Sequence, residues 1–219
     1  MTLGTADSKN SACRIGKIGI GGGISMIKVE NKSRKEIADI GRRIGEAFAD
    51  EKAGTVTMLT RAQTIKGFEI MTEWFYRAGT LYTTSEIGEG YLAYWSKRAK
   101  PSMGPTLHMI KRLLCELPPN ALIAMAQSGD EQYAKIFKKE HDYIAVSMVV
   151  VLREFQGKGY MRKILAQPFA EADTKDIPCI LDTDTPLKVK KYTRCGMELC
   201  SEKKLKNGIS LYTMAYNKN

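Results

Sequence analysis

Apolar positions first recur at helical spacing after residue 33, where Ile37, Ile40, Ile44, Ala47 and Phe48 fall on one face. Ser33 and Glu36 frame that start as a capping box, each side chain satisfying an N–H that the first turn leaves unpaired. A helix is therefore expected from about residue 34, ending near Lys52 and Gly54. A second is expected over residues 61–76, weakened by Gly67. Beyond Gly79 the period shortens. Residues 80–85 and 90–96 are rich in Thr, Tyr, Leu and Trp and flank the polar stretch Glu86-Ile87-Gly88-Glu89, which predicts a hairpin. Residues 104–117 read as a helix stopped by Pro118-Pro119, residues 121–127 as a strand or buried segment, and residues 128–140 as loop or weak helix. Residues 143–152 and 179–183 are strand-like, and residues 209–216 form a closing strand after an Asn207-Gly208 turn. Residues 1–25, rich in Gly, Ser and Thr and carrying Gly21-Gly22-Gly23, read as a flexible leader to a single domain at 26–219.

One junction carries chemistry. In residues 149–165, VVVLREFQGKGYMRKIL, the apolar run Val149 to Leu152 stops at a polar glycine loop, and a helical pattern follows with Met161, Ile164, Leu165 and Phe169 on one face. Gly157 and Gly159 permit backbone angles that a Cβ forbids. The free N–H groups of the following first turn, backed by the helix dipole, make an anion site suited to a pyrophosphate. The loop is not a nucleotide P-loop, which needs Lys-Ser or Lys-Thr after its last glycine, nor the GxGxxG fingerprint of dinucleotide folds.

Gln156-Gly157-Lys158-Gly159-Tyr160 resembles the acyl-coenzyme A loop of the GNAT superfamily of N-acetyltransferases: Gln or Arg, two residues, Gly, one residue, Gly or Ala. Met161 departs from it, filling the place of the last small residue. Tyr192-Thr193-Arg194-Cys195-Gly196-Met197 resembles the family's Tyr-x-x-x-Gly-Phe signature with Met for Phe. The resemblance spans roughly residues 80–216 and implies an α/β fold with a mixed, mostly antiparallel central sheet flanked by helices. It further implies acetyl-coenzyme A as cofactor and direct attack of a primary amine on its thioester in a ternary complex.

Carried onto this sequence, the resemblance assigns the pantetheine arm to backbone groups of Val149, Val150 and Val151, with the Val151 N–H as oxyanion donor. Gln156, Gly157, Lys158, Gly159, Tyr160 and Met161 form the phosphate loop, aided by Arg162 and Lys163, and Thr185 stands where the family often has Asn near the cofactor. Tyr192 matches the general acid. Some members carry a strand-four glutamate as base, but Ala145 holds that position, so Asp182 is the chosen base, with Asp184, Glu86, Glu89 and His141 as alternatives. The acceptor is a small-molecule or peptide amine. A longer acyl donor, or a non-catalytic acyl-coenzyme A sensor, are the competing readings.

Composition changes this little. The net charge of +10 suits a polyanionic cofactor. The second basic cluster, Lys188, Lys190, Lys191, Arg194, Lys203, Lys204 and Lys206, lacks the aromatic interleaving or zinc spacing of nucleic-acid binders and reads as a solvated face. Cysteines at 13, 115, 179, 195 and 200 have no metal-ligand spacing, so no metal is expected. Without a membrane span or signal segment, the expectation is a cytoplasmic protein with reduced thiols, as a monomer or homodimer.

Overall fold

The computed structural model describes residues 26–128, 132–205 and 208–217. The leader at 1–25 with its triple glycine, and Lys206 of the basic cluster, lie outside them. In chain order the elements are β1 (Ile27–Lys28), α1 (Arg34–Ala49), α2 (Arg61–Arg77), β2 (Leu81–Thr83), β3 (Gly90–Ser96), α3 (Met103–Glu116), α4 (Pro119–Ser128), α5 (Gln132–Ile136), β4 (Ile144–Val151), α6 (Tyr160–Lys175), β5 (Cys179–Thr183), α7 (Pro186–Thr193), β6 (Glu198–Lys204) and β7 (Ser210–Tyr216).

The capping box at Ser33 and Glu36 forms as expected, and a second one, Thr60 with Gln63, opens α2. That second box supports a helix that runs straight through Gly67, where the chain packs against Met125 of α4. The two helices lie close together. A Cβ at Gly45 would come within 2.6 Å of the Ile65 backbone, so this glycine is what lets α1 and α2 approach.

Two segments that the sequence does not define take a definite form. Residues 121–127 are helical, because Pro119 sits in the first turn, where its missing N–H costs nothing, and Ala, Leu and Met follow. Residues 198–204, read only as part of a charged face, form edge strand β6.

The strands form one sheet in the order β1-β2-β3-β4-β5-β7-β6, antiparallel except for β4 beside β5. One face carries Ile37 and Ile44 of α1, Phe75 of α2, and Tyr133 and Phe137 around α5. The other carries Ile164, Leu165 and Phe169 of α6 and Tyr192 of α7. The parallel pair is short. β4 and β5 meet only at Ile144–Cys179 and Ala145–Ile180, after which the strands part and leave a cleft between their C-terminal halves.

Candidate functional site

The edge of that cleft is set by an irregularity in β4. Met148 pairs with Ala93 and Val146 with the adjacent Tyr94, so Ser147 is an extra, exposed residue that interrupts the alternation. Beyond it, Leu152 donates its N–H to Glu89 O on the β3 side at 2.9 Å. Alternation then turns the backbone groups of Val151 and Val149 towards the cleft. The Val151 carbonyl on that edge accepts from Gln156 Nε2 at 3.1 Å. Val150 is different: its backbone faces β3, where it pairs with Tyr91, and its side chain is in the core. Of the three valines, only Val149 and Val151 present backbone groups to the cleft.

The glycine loop follows directly. Gly157 and Gly159 adopt φ of +77° and +79°, and Gly159 is the N-cap of α6. A Cβ on either glycine would meet no atom within 4 Å, so the space in front of both is open to a ligand. Lys158 folds back, donating to Glu154 O and lying 5.5 Å from the Phe155 ring centre. Tyr160 points away from the loop mouth and donates to Glu89 at 3.4 Å. Glu89 also accepts from Ser85 and Thr84, and the Ser85 bond foremost lowers its proton affinity. It is a structural tie, not a free base. Met161 packs against the second core, so its bulk is directed inward. Arg162 donates to Arg194 O at 3.0 Å and joins the loop helix to the turn after α7.

Tyr192 is buried on the second face. Burial raises its phenol's proton affinity, and the charges of Glu51 and Asp184 raise it further. Those two carboxylates belong to a half-buried cluster where α1 ends and α7 begins. Lys188, four residues before Tyr192 and so on the same face of α7, ion-pairs with Glu51 at 2.7 Å and Asp184 at 2.9 Å. Its ammonium lies 5.7 Å from the Phe48 ring centre.

Thr55 donates to Asp184 through both its N–H and its hydroxyl at 2.7 Å. Gly54, at φ +88°, makes room: its Cβ would lie 2.5 Å from the Asp184 carboxylate. Burial works to raise Asp184, but Lys188 and Thr55 outweigh it, and the carboxyl titrates below its ordinary value. Glu51 goes the other way, raised by burial despite Lys188. Glu51 was not singled out in the sequence, where Asp50-Glu51-Lys52 looks like a solvated helix end.

Two further sequence-derived residues are held by hydrogen bonds of their own. Asp182 faces the opposite side of the sheet from Tyr192, since its neighbour Leu181 belongs to the second core and Ile180 to the first. Its carboxylate accepts from the Gln132 and Tyr133 N–H groups at 2.8 and 3.3 Å and from the Thr213 hydroxyl at 2.6 Å. This carboxylate ties α5 to the sheet. The Thr185 oxygen caps α7 by accepting from Lys188 N at 3.2 Å, a local structural task. His141 lies against Arg98, and no group of three His, Cys, Asp or Glu among the described residues could hold a metal ion. No helix among the described residues is long and apolar enough to cross a membrane.

No family model and no curated protein sequence matches the chain. Solved structures are similar in fold. Arylalkylamine N-acetyltransferase 2 from Aedes aegypti superposes with a TM-score of 0.55 at 12% identity, over 89% of this chain and 99% of that one. An N-acetyltransferase from Staphylococcus aureus gives 0.54 at 12% identity, over 87% and 99%. A structure of the NatC complex bound to Gag peptide and CoA gives 0.50 at 9% identity, over 90% and 99%. The superpositions run over nearly the whole of those proteins and most of this chain, with its single mixed sheet flanked by helices, and the chain has the GNAT N-acetyltransferase fold.

Proposed function

We propose that this chain is an acetyl-coenzyme A-dependent N-acetyltransferase acting on a small-molecule or peptide amine in the cytoplasm. One observation carries the reading: the split of β4 from β5 after Ala145–Ile180, with the glycine loop closing one arm and the Tyr192 helix closing the other. The residues present fit the cofactor. Open space in front of Gly157 and Gly159 at the start of α6 suits a pyrophosphate, with Lys158, Arg162 and Lys163 as nearby cations. The cleft-facing backbone of Val149 and Val151 suits the amide groups of a pantetheine arm. A structural relative holding CoA supports the same assignment.

When bound, the cofactor supplies an acetyl group as a reactive thioester. This chain supplies the rest. The Val151 N–H is a donor for the thioester carbonyl oxygen. Glu51, whose proton affinity is raised by burial, takes the proton that the acceptor must lose before it can attack, directly or through water. Tyr192, a neutral phenol at physiological pH, gives its proton to the departing sulfur. Lys188 and Asp184 hold Glu51 beside Tyr192 and are positioning residues. Incubating the protein with acetyl-coenzyme A and a panel of amines, and measuring thiol release, tests the reading. Cofactor binding without thiol release from any amine would leave a sensor, and no binding would refute it.

A further inference from the structure

The end of β4 away from the glycine loop carries a cavity that the proposed reaction does not use. Tyr143 immediately precedes β4, and Trp95 pairs with Ala145, six residues or about 20 Å of extended strand before Val151. There Trp74, Trp95, Tyr133 and Tyr143 wall a cavity of about 160 Å³, with Lys100 and Thr106 also lining it. A cavity of this volume has room for one benzene-sized ring.

The walls are two edge-to-face pairs. Trp74 and Trp95 have ring centres 5.8 Å apart at 69°, and Tyr133 and Tyr143 have theirs 6.0 Å apart at 78°. The four rings come from α2, β3, α5 and the approach to β4, so the site is assembled by tertiary packing. Three are buried. The Trp74 indole N–H is directed to the Thr106 hydroxyl at 3.3 Å, which leaves its rings as the lining surface. Aromatic cages of this kind usually attract ammonium groups. Here the lining includes an exposed cation: Lys100 has no hydrogen-bond or ion-pair partner among the described residues. That charge repels a cationic guest and favours an anionic one.

We propose that this cavity binds a compact aromatic carboxylate, with the ring among the four aromatic side chains and the carboxylate on Lys100. Edge-to-face and offset contacts hold the ring, and the ammonium selects the charge.

Trp74 and Trp95 are the chain's only two tryptophans, so intrinsic fluorescence reports on this cavity. The probe is 3-phenylpropionate, titrated without acetyl-coenzyme A so that the outcome is independent of acetyl transfer. Saturable quenching is expected, matched by calorimetric heat, with much weaker responses to 2-phenylethylamine, which has the wrong charge, and to hexanoate, which lacks the ring. Lys100 is exposed, so Lys100→Gln keeps the fold, verified by an unchanged melting temperature. This variant should bind the probe roughly fivefold more weakly. The absence of saturable quenching, equal binding of the amine, or unchanged affinity in Lys100→Gln would each overturn the proposal.

Discussion

The side-chain amide of Gln156 donates to the carbonyl oxygen of Val151 at 3.1 Å, tying the start of the glycine loop to the last residue of β4 on the edge that faces the cleft. The bond spans five residues and fixes the angle at which the chain leaves the strand. Gln156→Leu keeps the size and removes the donor. A hydrogen bond of this kind is worth about 0.5–1.5 kcal/mol, so cofactor affinity should fall between about twofold and about tenfold with little change in melting temperature. Calorimetric titration with coenzyme A measures it, and unchanged affinity would show that the loop needs no tether.

The two glycines of the loop make a separate prediction. At φ +79° Gly159 occupies the left-handed region, yet nothing blocks a Cβ there. Gly159→Ala should therefore fold, at a cost of about 1–2 kcal/mol for the backbone conformation alone. The new methyl group projects into the space assigned to the pyrophosphate, so the stabilisation that saturating acetyl-coenzyme A gives the wild type should vanish. Thermal melts with and without cofactor separate the two effects. A mutant stabilised as much as the wild type would move the phosphate site away from Gly159.

Asp184 is a structural carboxylate by the same physical measures. It is held below its ordinary value because Lys188 and Thr55 together outweigh the effect of burial. A depressed carboxyl contributes stability above its unfolded value, near 3.8, and loses it as pH falls through the folded value. Asp184→Asn should cost about 1.5–3 kcal/mol at neutral pH, the range for hydrogen bonds to a charged group, while Lys188 keeps Glu51 as partner. Denaturant melts across pH test the sign: the gap between wild type and mutant should narrow below about pH 3.8. A gap that widens on acidification would refute the assignment.

The parts of this fold written in local chemistry were legible. Ser33 and Glu36 announce α1, and Gly157 and Gly159 announce a turn at positive φ, because caps and glycine turns act within a few residues. Residues 121–127 were ambiguous, since a short apolar run fits a strand or a helix and only the prolines before it tip the balance. β6 has charged residues on both faces of an edge strand, which erases the period-two signal. The surroundings of Asp182 and Glu51 depend on contacts across the chain. Asp182 is occupied by N–H groups 50 residues earlier, and Glu51 meets Lys188 only after α1 and α7 pack together. Neither relationship has a local signature.

Tyr192→Phe tests the proposed proton donor. The ring is buried, so Phe preserves the packing and removes only the hydroxyl. Acetyl-coenzyme A affinity should hold while the single-turnover rate with a validated amine falls about 10²-fold or more, the usual share of general acid catalysis. Single turnover is the proper measurement because it separates the chemical step from binding and product release. A mutant that matches the wild-type rate would make Tyr192 a core residue, with water as the acid.

Glu51→Gln separates function from stability most sharply. Burial raises the Glu51 carboxyl above its ordinary value of 4.5, so its ionised form, the one a base requires, is disfavoured by the fold. A raised carboxyl contributes stability below its unfolded value, and that contribution is lost as pH rises through the folded value. At neutral pH the ionised group is therefore a burden, and Gln should leave the melting temperature unchanged or higher, with Lys188 still paired to Asp184. Activity should move in the opposite direction. The wild-type kcat/KM profile should show an acidic limb above pH 4.5, rising as Glu51 ionises. In Glu51→Gln that limb should disappear and the rate fall about 10²-fold or more. A Gln variant that keeps both rate and acidic limb would remove Glu51 from the proton path, and one that merely unfolds would make the cluster structural.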